Sequence, residues 1–204
     1  QIEFLDLKSY QLQQKLSVGP DTINALVLLE RERLLISASS KGALIFWNIN
    51  DLANPDRQKI IQAHDYVSSI IRLDQGLLSC GYDGVIKEWD LQGNLVFSYR
   101  AHTDKVNALC RVGHKRFASL SNERDPRIII WDLETREIIT SIDTSSCPSS
   151  YFMLSISPNH LVTAGGNLCF WDITKNSLEE KKDSQNTVVL DKAQLRSDEI
   201  ITLE

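Results

Sequence analysis

The sequence lacks the features of a chain that crosses or enters a membrane. No run of apolar residues approaches the roughly 18 needed to span a bilayer. The first ten residues have neither the basic start nor the apolar core of a signal peptide. An initiator methionine is also missing, which indicates an excised fragment or a processed chain. We therefore expect no membrane partner and a cytoplasmic or nuclear location.

A basic excess and paired cysteine motifs are absent too. The 22 lysines and arginines are outnumbered by 27 acidic residues, for a net charge of −5. This balance argues against a nucleic-acid partner, because domains that bind nucleic acid usually carry a basic excess. No CxxC pair occurs, and three of the four cysteines lie in apolar runs, which indicates small buried hydrophobic residues that need no oxidising compartment. The cysteines are Cys80, Cys110, Cys147 and Cys169.

Motifs for catalysis, metal binding and phosphate binding are missing as well. The sequence contains no HExxH, GxSxG or Walker pattern. Gly165-Gly166-Asn167 precedes a strand-like segment, whereas a phosphate-binding loop should open a helix, so we predict a hairpin turn there. We expect no catalytic residues, no cofactor and no metal.

The sequence does contain a regular repeat marked by its tryptophans. Trp47, Trp89, Trp131 and Trp171 are spaced 42, 42 and 40 residues apart, and each is followed by Asn or Asp and then Ile or Leu. A further step of 42 residues back from Trp47 reaches Leu5-Asp6-Leu7, a degenerate copy in which Leu replaces Trp. Such a period is the signature of a repeat architecture.

Each repeat holds short segments that predict strands. The segments before each tryptophan are apolar runs that end in a hydroxyl residue, and segments further upstream alternate apolar with polar or small residues, as partly buried strands do. The predicted first strands lie at 23–26, 67–70, 106–109 and 153–156, and the second strands at 34–37, 77–79, 117–119 and 161–163. With a last strand after each tryptophan, such as 95–97, every unit has four strands.

Helical periodicity is absent, which leaves an all-β chain. Only residues 177–184 tolerate a helix, and their run Glu179-Glu180-Lys181-Lys182 is interpreted as a solvated turn. His114 and His160 are expected to be exposed in the turns before second strands. Four strands repeating every 40–45 residues predict a β-propeller built from four-stranded antiparallel blades.

The repeats resemble those of the WD40 family over essentially the whole chain, and the copy from Ala63-His64 to Trp89-Asp90 is the strongest. The resemblance implies a buried chain of hydrogen bonds that satisfies every polar group inside an apolar blade. In the strongest copy it would consist of His64, Ser79, Asp83 and Trp89. In the next copy, whose hairpin is two residues longer, it would consist of His102, Ser119, Asp125 and Trp131.

The other two copies depart from this pattern. The first has Pro20 about where the histidine would fall and Lys41 in place of the aspartate. The fourth keeps Thr163 and Trp171 but lacks both the histidine and the aspartate. We expect these two blades to be held by packing alone and to be the softer ones.

The blade number has two interpretations. We assign residues 1–204 to one propeller domain with four full repeats and two half-blades, at 1–18 and 185–204, the second with strands expected at 187–190 and 200–203. The half-blades could pair and close a five-bladed ring, which removes exposed strand edges. Alternatively the chain is part of a larger ring, since seven blades are usual in this family; we favour this second interpretation slightly.

The family resemblance implies a platform that binds partner proteins or peptides through the loops of one face. Tyr and Arg are enriched at binding hot spots, and cations suit acidic or phosphorylated segments. The candidate contact residues are Tyr66, Tyr82, Lys105 and Arg124, with Asp65 and Thr103 beside them.

Two other functions stay open at this point. The chain could be the regulatory sensor of a larger signalling or effector protein whose active domain lies elsewhere. A propeller enzyme is the weaker alternative, because the predicted inner strands carry mainly Ala, Leu, Ser, Ile and Val, with Asn24 and Asn107 as exceptions and no cluster of charged residues.

Overall fold

The computed structural model describes residues 1–5, 8, 11–18, 20–52, 54–100 and 102–183. Over these ranges the chain forms antiparallel strands and turns and no helix. The chain divides into two units, residues 1–100 and residues 101–204. None of the described residues forms a helical segment with the length and hydropathy to cross a bilayer.

The first unit contains a two-stranded sheet and two four-stranded sheets. The two-stranded sheet consists of β1 (Ile2–Leu5) and β2 (Leu12–Leu16). The first blade consists of β3 (Ile23–Leu29), β4 (Leu34–Ser39), β5 (Ala43–Asn48) and β6 (Asp56–Gln62). The second blade consists of β7 (Val67–Leu73), β8 (Gly76–Gly81), β9 (Ile86–Trp89) and β10 (Leu95–Tyr99).

The second unit contains two further four-stranded sheets of the same order. The third blade consists of β11 (Val106–Val112), β12 (Arg116–Ser121), β13 (Arg127–Asp132) and β14 (Ile138–Asp143). The fourth consists of β15 (Ser150–Ser157), β16 (His160–Gly165), β17 (Asn167–Asp172) and β18 (Ser177–Asp183). The predicted all-β fold of four-stranded antiparallel blades is confirmed.

Burial changes across each blade from the inner strands to the outer one. Every residue of β8 is buried, whereas the first three residues of β10 in the same blade are exposed. The second strands therefore read as continuous apolar runs, because their side chains are buried on both faces. The outer strands lose this signal, since they lie at the sheet edge.

Face-to-face packing of the sheets makes the core of each unit. In the first unit, Ile2 and Leu16 of the two-stranded sheet pack on Trp47 and Leu35 of the first blade. The other face of the first blade packs on the second blade through the residues Ile36, Leu44, Phe46, Val67, Leu77 and Trp89. In the second unit the third and fourth blades share the residues Ala118, Leu120, Ile130, Met153, Leu161 and Trp171.

Two inner-strand asparagines link neighbouring blades. Asn24 Nδ2 donates to the carbonyl oxygen of Val67 at 2.8 Å, and Asn107 Nδ2 donates to that of Ser150 at 3.2 Å. The two bonds join residues 43 apart in the sequence, close to one repeat period. From the sequence, these asparagines were only polar exceptions among the apolar residues of the inner strands. Their role as links could not be predicted, because it depends on how successive blades stack.

Two sequence predictions fail in the fourth blade. Residues Glu179 to Lys182 are not a solvated turn, because they lie within strand β18. An outer strand is exposed, so its composition matches that of a turn. His160 begins strand β16 and is partly buried, whereas a turn position was expected. The hairpin at Gly165-Gly166-Asn167 is confirmed, since β16 ends at Gly165 and β17 begins at Asn167.

Only one of the two predicted half-blades falls within the described residues. This N-terminal half-blade contains β1 and β2, and Leu5 of the degenerate copy ends β1, while Asp6 and Leu7 lie outside the described residues. The predicted half-blade at 185–204 and the last residue of the 177–184 segment also lie outside them. The single domain over 1–204 and the blade number stay predictions.

Candidate functional site

A chain of polar side chains runs through the second blade. Trp89 Nε1 donates to Ser79 Oγ at 2.8 Å, and Ser79 Oγ lies 2.7 Å from His64 Nε2. His64 Nδ1 lies 2.9 Å from both carboxylate oxygens of Asp83. Because the carboxylate of Asp83 can only accept, the imidazole carries a hydrogen on Nδ1 and donates it to Asp83. Ser79 Oγ accepts from the indole and can donate its own hydrogen to Nε2.

The carboxylate of Asp83 is held by several donors. Burial raises its pKa, but the hydrogen bond from His64, the backbone N–H of Val85 and the charge of Lys87 outweigh burial, so the pKa is lowered. Lys87 Nζ lies 3.6 Å from Asp83 and also donates to the carbonyl oxygen of Ala63. The loop before β7, the β8–β9 hairpin and strand β9 are thereby tied together.

The third blade has the same arrangement. Trp131 Nε1 donates to Ser119 Oγ at 2.9 Å, which lies 2.7 Å from His102 Nε2, and His102 Nδ1 lies 2.8 Å from Asp125 Oδ2. Asp125 also accepts from the backbone N–H of Thr103 at 2.9 Å. Burial lowers the pKa of His102 against the opposing effect of Asp125, which favours the neutral imidazole that this chain of bonds requires.

Asp125 differs from Asp83 in its cationic partner. Arg127, two residues further along, donates to Asp125 through Nε. Burial raises the pKa of Asp125, but Arg127, the Thr103 N–H and His102 together lower it. The carboxylate, with a side chain only 4% exposed, is thus ionised and accepts hydrogen bonds from three donors.

The expectation that packing alone holds the first blade is wrong. Trp47 Nε1 donates to Ser37 Oγ at 2.9 Å, so the indole bond is kept. Lys41 Nζ lies 2.7 Å from Asp21 Oδ1 and joins the loop before β3 to the β4–β5 hairpin. This ion pair connects the two segments that His64 and Asp83 connect in the second blade, but here the carboxylate lies in the loop and the donor lies in the hairpin.

Packing alone does not hold the fourth blade either. Trp171 Nε1 donates to Thr163 Oγ1 at 3.0 Å, and Ser150 Oγ donates to the same oxygen at 3.4 Å. Cys147, in the loop before β15, forms a disulfide with Cys169 of β17. Cys147 precedes Thr163 by 16 residues, and His64 precedes Ser79 by 15. The disulfide therefore fastens the segment that the histidine fastens in the second blade.

The four cysteines divide into two kinds. Treating Cys169 as an unpaired hydrophobic residue was wrong, because it is bonded to Cys147, which belongs to a loop that no strand pattern identifies. Cys80 and Cys110 are free and buried. Burial raises the pKa of Cys110 to about 12, so this thiol is not a reactive one.

Two tyrosines form an aromatic pair at the loop end of the second blade. The rings of Tyr66 and Tyr82 stack at a centroid distance of 4.1 Å and an angle of 19°. Gly81 permits this approach, because a Cβ there would lie 2.2 Å from the carbonyl oxygen of Tyr66. Burial and Tyr82 both raise the pKa of Tyr66. Tyr82 is 41% exposed, and Asp65, which precedes Tyr66 in the sequence, is exposed as well.

The other candidate contact residues belong to the second unit. Thr103, Lys105 and Arg124 are all exposed. The backbone N–H of Lys105 donates to Asp104 Oδ1 at 2.8 Å, and that of Arg124 donates to Asn122 Oδ1 at 3.0 Å. The structure therefore places the two tyrosines in one unit and the two cations in the other.

A small cleft that the sequence did not reveal lies beside the β12–β13 hairpin, which also carries Arg124. It has a volume of about 150 Å³ and lies between the β12–β13 hairpin and the loop before β15. Ser149 Oγ donates to Glu123 Oε1 across it. The lining residues include Asn122, Pro126, Thr144, Cys147 and Pro148. Part of its wall is the loop that the disulfide holds in place. No local sequence motif predicts such a cleft, because it depends on a link between distant residues.

Comparison with known proteins finds one WD40 repeat in the chain and similarity to several known proteins. A family model described as "WD domain, G-beta repeat" matches residues 55–90. Ribosome biogenesis protein YTM1 of Laccaria bicolor is 27% identical over 154 residues, which are 65% of this chain and 33% of the relative. Methylosome protein WDR77 of Xenopus laevis is 30% identical over 121 residues, which are 55% of this chain and 35% of the relative.

Solved structures agree on the fold. The crystal structure of the RRP9 WD40 repeats superposes with a TM-score of 0.69 at 19% identity, covering 80% of this chain and 52% of that one. The structure of U3-55K gives a TM-score of 0.68 at 18% identity, with the same coverage. The chain spans about a third of the length of the curated relatives it matches.

The first prediction compares two buried serines of the first unit. Ser79→Ala removes the hydroxyl that joins Trp89 to His64, whereas Ser37→Ala removes one that accepts from Trp47. Leaving a buried polar group unpaired costs about 1–3 kcal/mol. We expect Ser79→Ala to lower the free energy of unfolding by about 2–4 kcal/mol and Ser37→Ala by about 1–2 kcal/mol, measured by urea denaturation. Equal losses would contradict the longer network.

A second prediction concerns pH and His102. Its pKa is lowered in the folded chain, so the unfolded chain binds the proton first as pH falls, and folded stability decreases below the ordinary histidine pKa. We expect the urea midpoint of unfolding to be lower at about pH 5.5 than at about pH 7.5, two values that lie about one unit either side of that pKa. The decrease should be smaller in His102→Gln. An equal pH dependence in both proteins would contradict the assignment.

A third prediction tests the disulfide. Cys147 and Cys169 are 22 residues apart, and a closed loop of that size stabilises a protein by about 2–4 kcal/mol. We expect Cys169→Ala, or a dithiol reductant, to lower the free energy of unfolding by about that amount. Cys110→Ala serves as the control, because it should keep the sensitivity to reductant. A reductant that leaves the unfolding midpoint of the unsubstituted chain unchanged would overturn the prediction.

Proposed function

Because this chain belongs to the WD40-repeat family, we propose that it is a protein–protein interaction scaffold or adaptor whose loop face binds partner proteins or peptides. The observation that carries the proposal is the stacked and partly exposed pair of Tyr66 and Tyr82. Tyrosines in such positions offer a large contact area with little rotamer entropy to lose on binding. Asp65, which directly precedes Tyr66, is a further candidate contact.

Rigid support makes the tyrosine pair a better anchor. Tyr66 follows His64 by two residues, and Tyr82 directly precedes Asp83, so the pair adjoins the His64–Asp83 bond at one end of the polar network. The backbone N–H of Tyr82 also donates to the carbonyl oxygen of Tyr66 at 3.2 Å. A surface that is ordered before binding has less conformational entropy to lose in the complex.

Lys105, Arg124 and Thr103 of the second unit carry a separate part of the proposal. Both cations are exposed, and a guanidinium can bind a carboxylate or phosphate through two parallel hydrogen bonds. We therefore propose acidic or phosphorylated segments as the ligands of this loop cluster. The acidic net charge of −5 and the absence of a repeated basic stripe argue against nucleic acid.

The histidine environments argue against catalysis. The side chains of His64 and His102 are 0% exposed, and their ring nitrogens are occupied by serine and aspartate. A general base has to reach the proton that it abstracts. We propose that both histidines are structural and that the chain is not an enzyme.

A second candidate function follows from how little of its relatives the chain covers. It spans about a third of YTM1 and WDR77, so it could be the regulatory sensor propeller of a larger protein. Those relatives are named as a ribosome biogenesis protein and a methylosome protein, which supports a nuclear or cytoplasmic location within this proposal. Flanking effector domains in the full reading frame would favour the sensor over the simple adaptor.

The experiment compares what matched variants capture from a lysate of the source cells. We expect Tyr66→Ala/Tyr82→Ala to lose specific proteins by about tenfold or more, since removing a hot-spot side chain costs 2 kcal/mol or more. Lys105→Ala/Arg124→Ala should lose the acidic or phosphorylated ligands, and phosphatase treatment of the lysate should reproduce the loss of the phosphorylated ones. Captured proteins are quantified by mass spectrometry.

The control variant changes an exposed ion pair elsewhere on the third blade. Lys115 Nζ and Glu134 Oε1 lie 2.8 Å apart with side chains 68% and 66% exposed, so Lys115→Ala/Glu134→Ala should fold and bind normally. Thermal unfolding checks that each variant is folded. A captured set that is the same for all four proteins would refute the proposed surfaces.

A further inference from the structure

Three ligand-type side chains meet at one end of the fourth blade. His160 opens β16, Asp172 closes β17, and the two residues pair in register. Glu179 lies in the adjacent strand β18. Because β16 and β17 are joined by the hairpin at Gly166, this cluster lies at the opposite end of these two strands from the hairpin.

The donor atoms are close enough for one ion to reach all of them. A histidine nitrogen and one oxygen from each carboxylate lie within 4.8 Å of one another. His160 Nε2 and Glu179 Oε2 are 3.6 Å apart. Ligand atoms about 2.0–2.2 Å from a tetrahedral zinc ion are themselves about 3.3–3.6 Å apart, so side-chain shifts of about 1 Å complete the geometry.

His160 is oriented for metal binding through Nε2. Its Nδ1 lies 2.8 Å from Ser157 Oγ, an oxygen that also accepts the backbone N–H of Asn159 at 3.2 Å. Ring nitrogens of metal-binding histidines commonly have such a partner on the side away from the ion. When the hydrogen is on Nδ1 and is donated to Ser157 Oγ, the lone pair of Nε2 faces an oxygen of Glu179, and the two atoms can bind one cation together.

Asp172 is fixed and ionised. Oδ1 accepts from the backbone N–H of Thr174 at 2.7 Å and from its hydroxyl at 2.6 Å, and from the N–H of Lys175 at 3.2 Å. Hydrogen bonds from Lys175 and Thr174 hold the pKa of this carboxyl far below its ordinary value. Oδ2 has a different partner, the Lys175 ammonium at 2.8 Å. One oxygen is thus used to orient the carboxylate and the other binds a cation.

Lys175 shows that a cation is already accommodated at the carboxylates. Its ammonium lies 2.8 Å from Asp172 Oδ2 and 3.3 Å from Glu179 Oε1. The lysine side chain is 68% exposed, whereas that of Asp172 is 5% exposed. An exposed lysine in a surface ion pair moves away at little cost, so it does not prevent a doubly charged ion from taking its place.

We propose that His160, Asp172 and Glu179 form a zinc site, with Lys175 displaced when the ion binds. One imidazole nitrogen and two carboxylate oxygens suit Zn²⁺, and water completes the tetrahedral coordination. Calcium takes six to eight oxygen ligands, which these three residues do not supply. The ion joins β16, β17 and β18, and so stabilises the outer strand of the blade.

The test titrates the oxidised full chain with Zn²⁺ by calorimetry, with the disulfide intact so that no thiolate of Cys147 or Cys169 competes. We expect one ion per chain, binding weakened about 10–100-fold in His160→Ala, and a Zn²⁺-induced rise in the unfolding temperature that this variant loses. His114→Ala is the matched control, because His114 is an exposed histidine of the third blade. Equal binding by the unsubstituted chain and His160→Ala overturns the proposal, as does no binding at all.

Lys175→Ala separates a metal site from a surface ion pair. Removing the competing ammonium should tighten Zn²⁺ binding several-fold, and Co²⁺ in place of Zn²⁺ should give the intense visible absorption of a tetrahedral complex. If the cluster serves only as an ion pair, Lys175→Ala gains no affinity and Co²⁺ keeps its pale octahedral spectrum. Either of these results refutes the site.

Discussion

The indole N–H of each repeat's tryptophan has to be satisfied inside a stack of apolar sheets. All four tryptophans are buried, with exposures of 1–5%. Each donates to a hydroxyl oxygen of the neighbouring second strand at 2.8–3.0 Å. The hydroxyl residue and the tryptophan therefore fix the register of the two central strands, and the spacing of the tryptophans fixes the repeat. The remaining polar groups of each blade are arranged around this bond.

The blades differ in how they fasten the loop that precedes their first strand. The second and third blades use a histidine between the serine and an aspartate. The first uses the Lys41–Asp21 ion pair, and the fourth uses the Cys147–Cys169 disulfide. The common requirement is a link from that loop to the central strands. Its chemistry varies because the link lies at the edge of the core, where an ion pair, a hydrogen bond or a covalent bond can each satisfy it.

The sequence predicted what depends on local periodicity. Tryptophan spacing, hairpins and buried second strands all follow from it, and the four-stranded blades are confirmed. Strand β18 was mistaken for a turn because an exposed edge strand carries no apolar alternation. The disulfide and the Asn24 and Asn107 bonds were missed because each joins segments one half to one full repeat apart. A sequence pattern does not specify which of those distant residues meet in space.

The candidate site was predicted less completely than the fold, for a related reason. Tyr66 and Tyr82 were selected as loop residues, but their stacking depends on Gly81, whose missing Cβ lets the hairpin approach the loop. The cations Lys105 and Arg124 lie in a different unit from the tyrosines.

These candidate contacts lie on the two blades that keep the histidine–aspartate link, next to its ends. A network that orders the loop before β7 and the β8–β9 hairpin thus also orders the residues proposed to meet a partner. Loss of the buried network would then weaken binding without removing any contact residue.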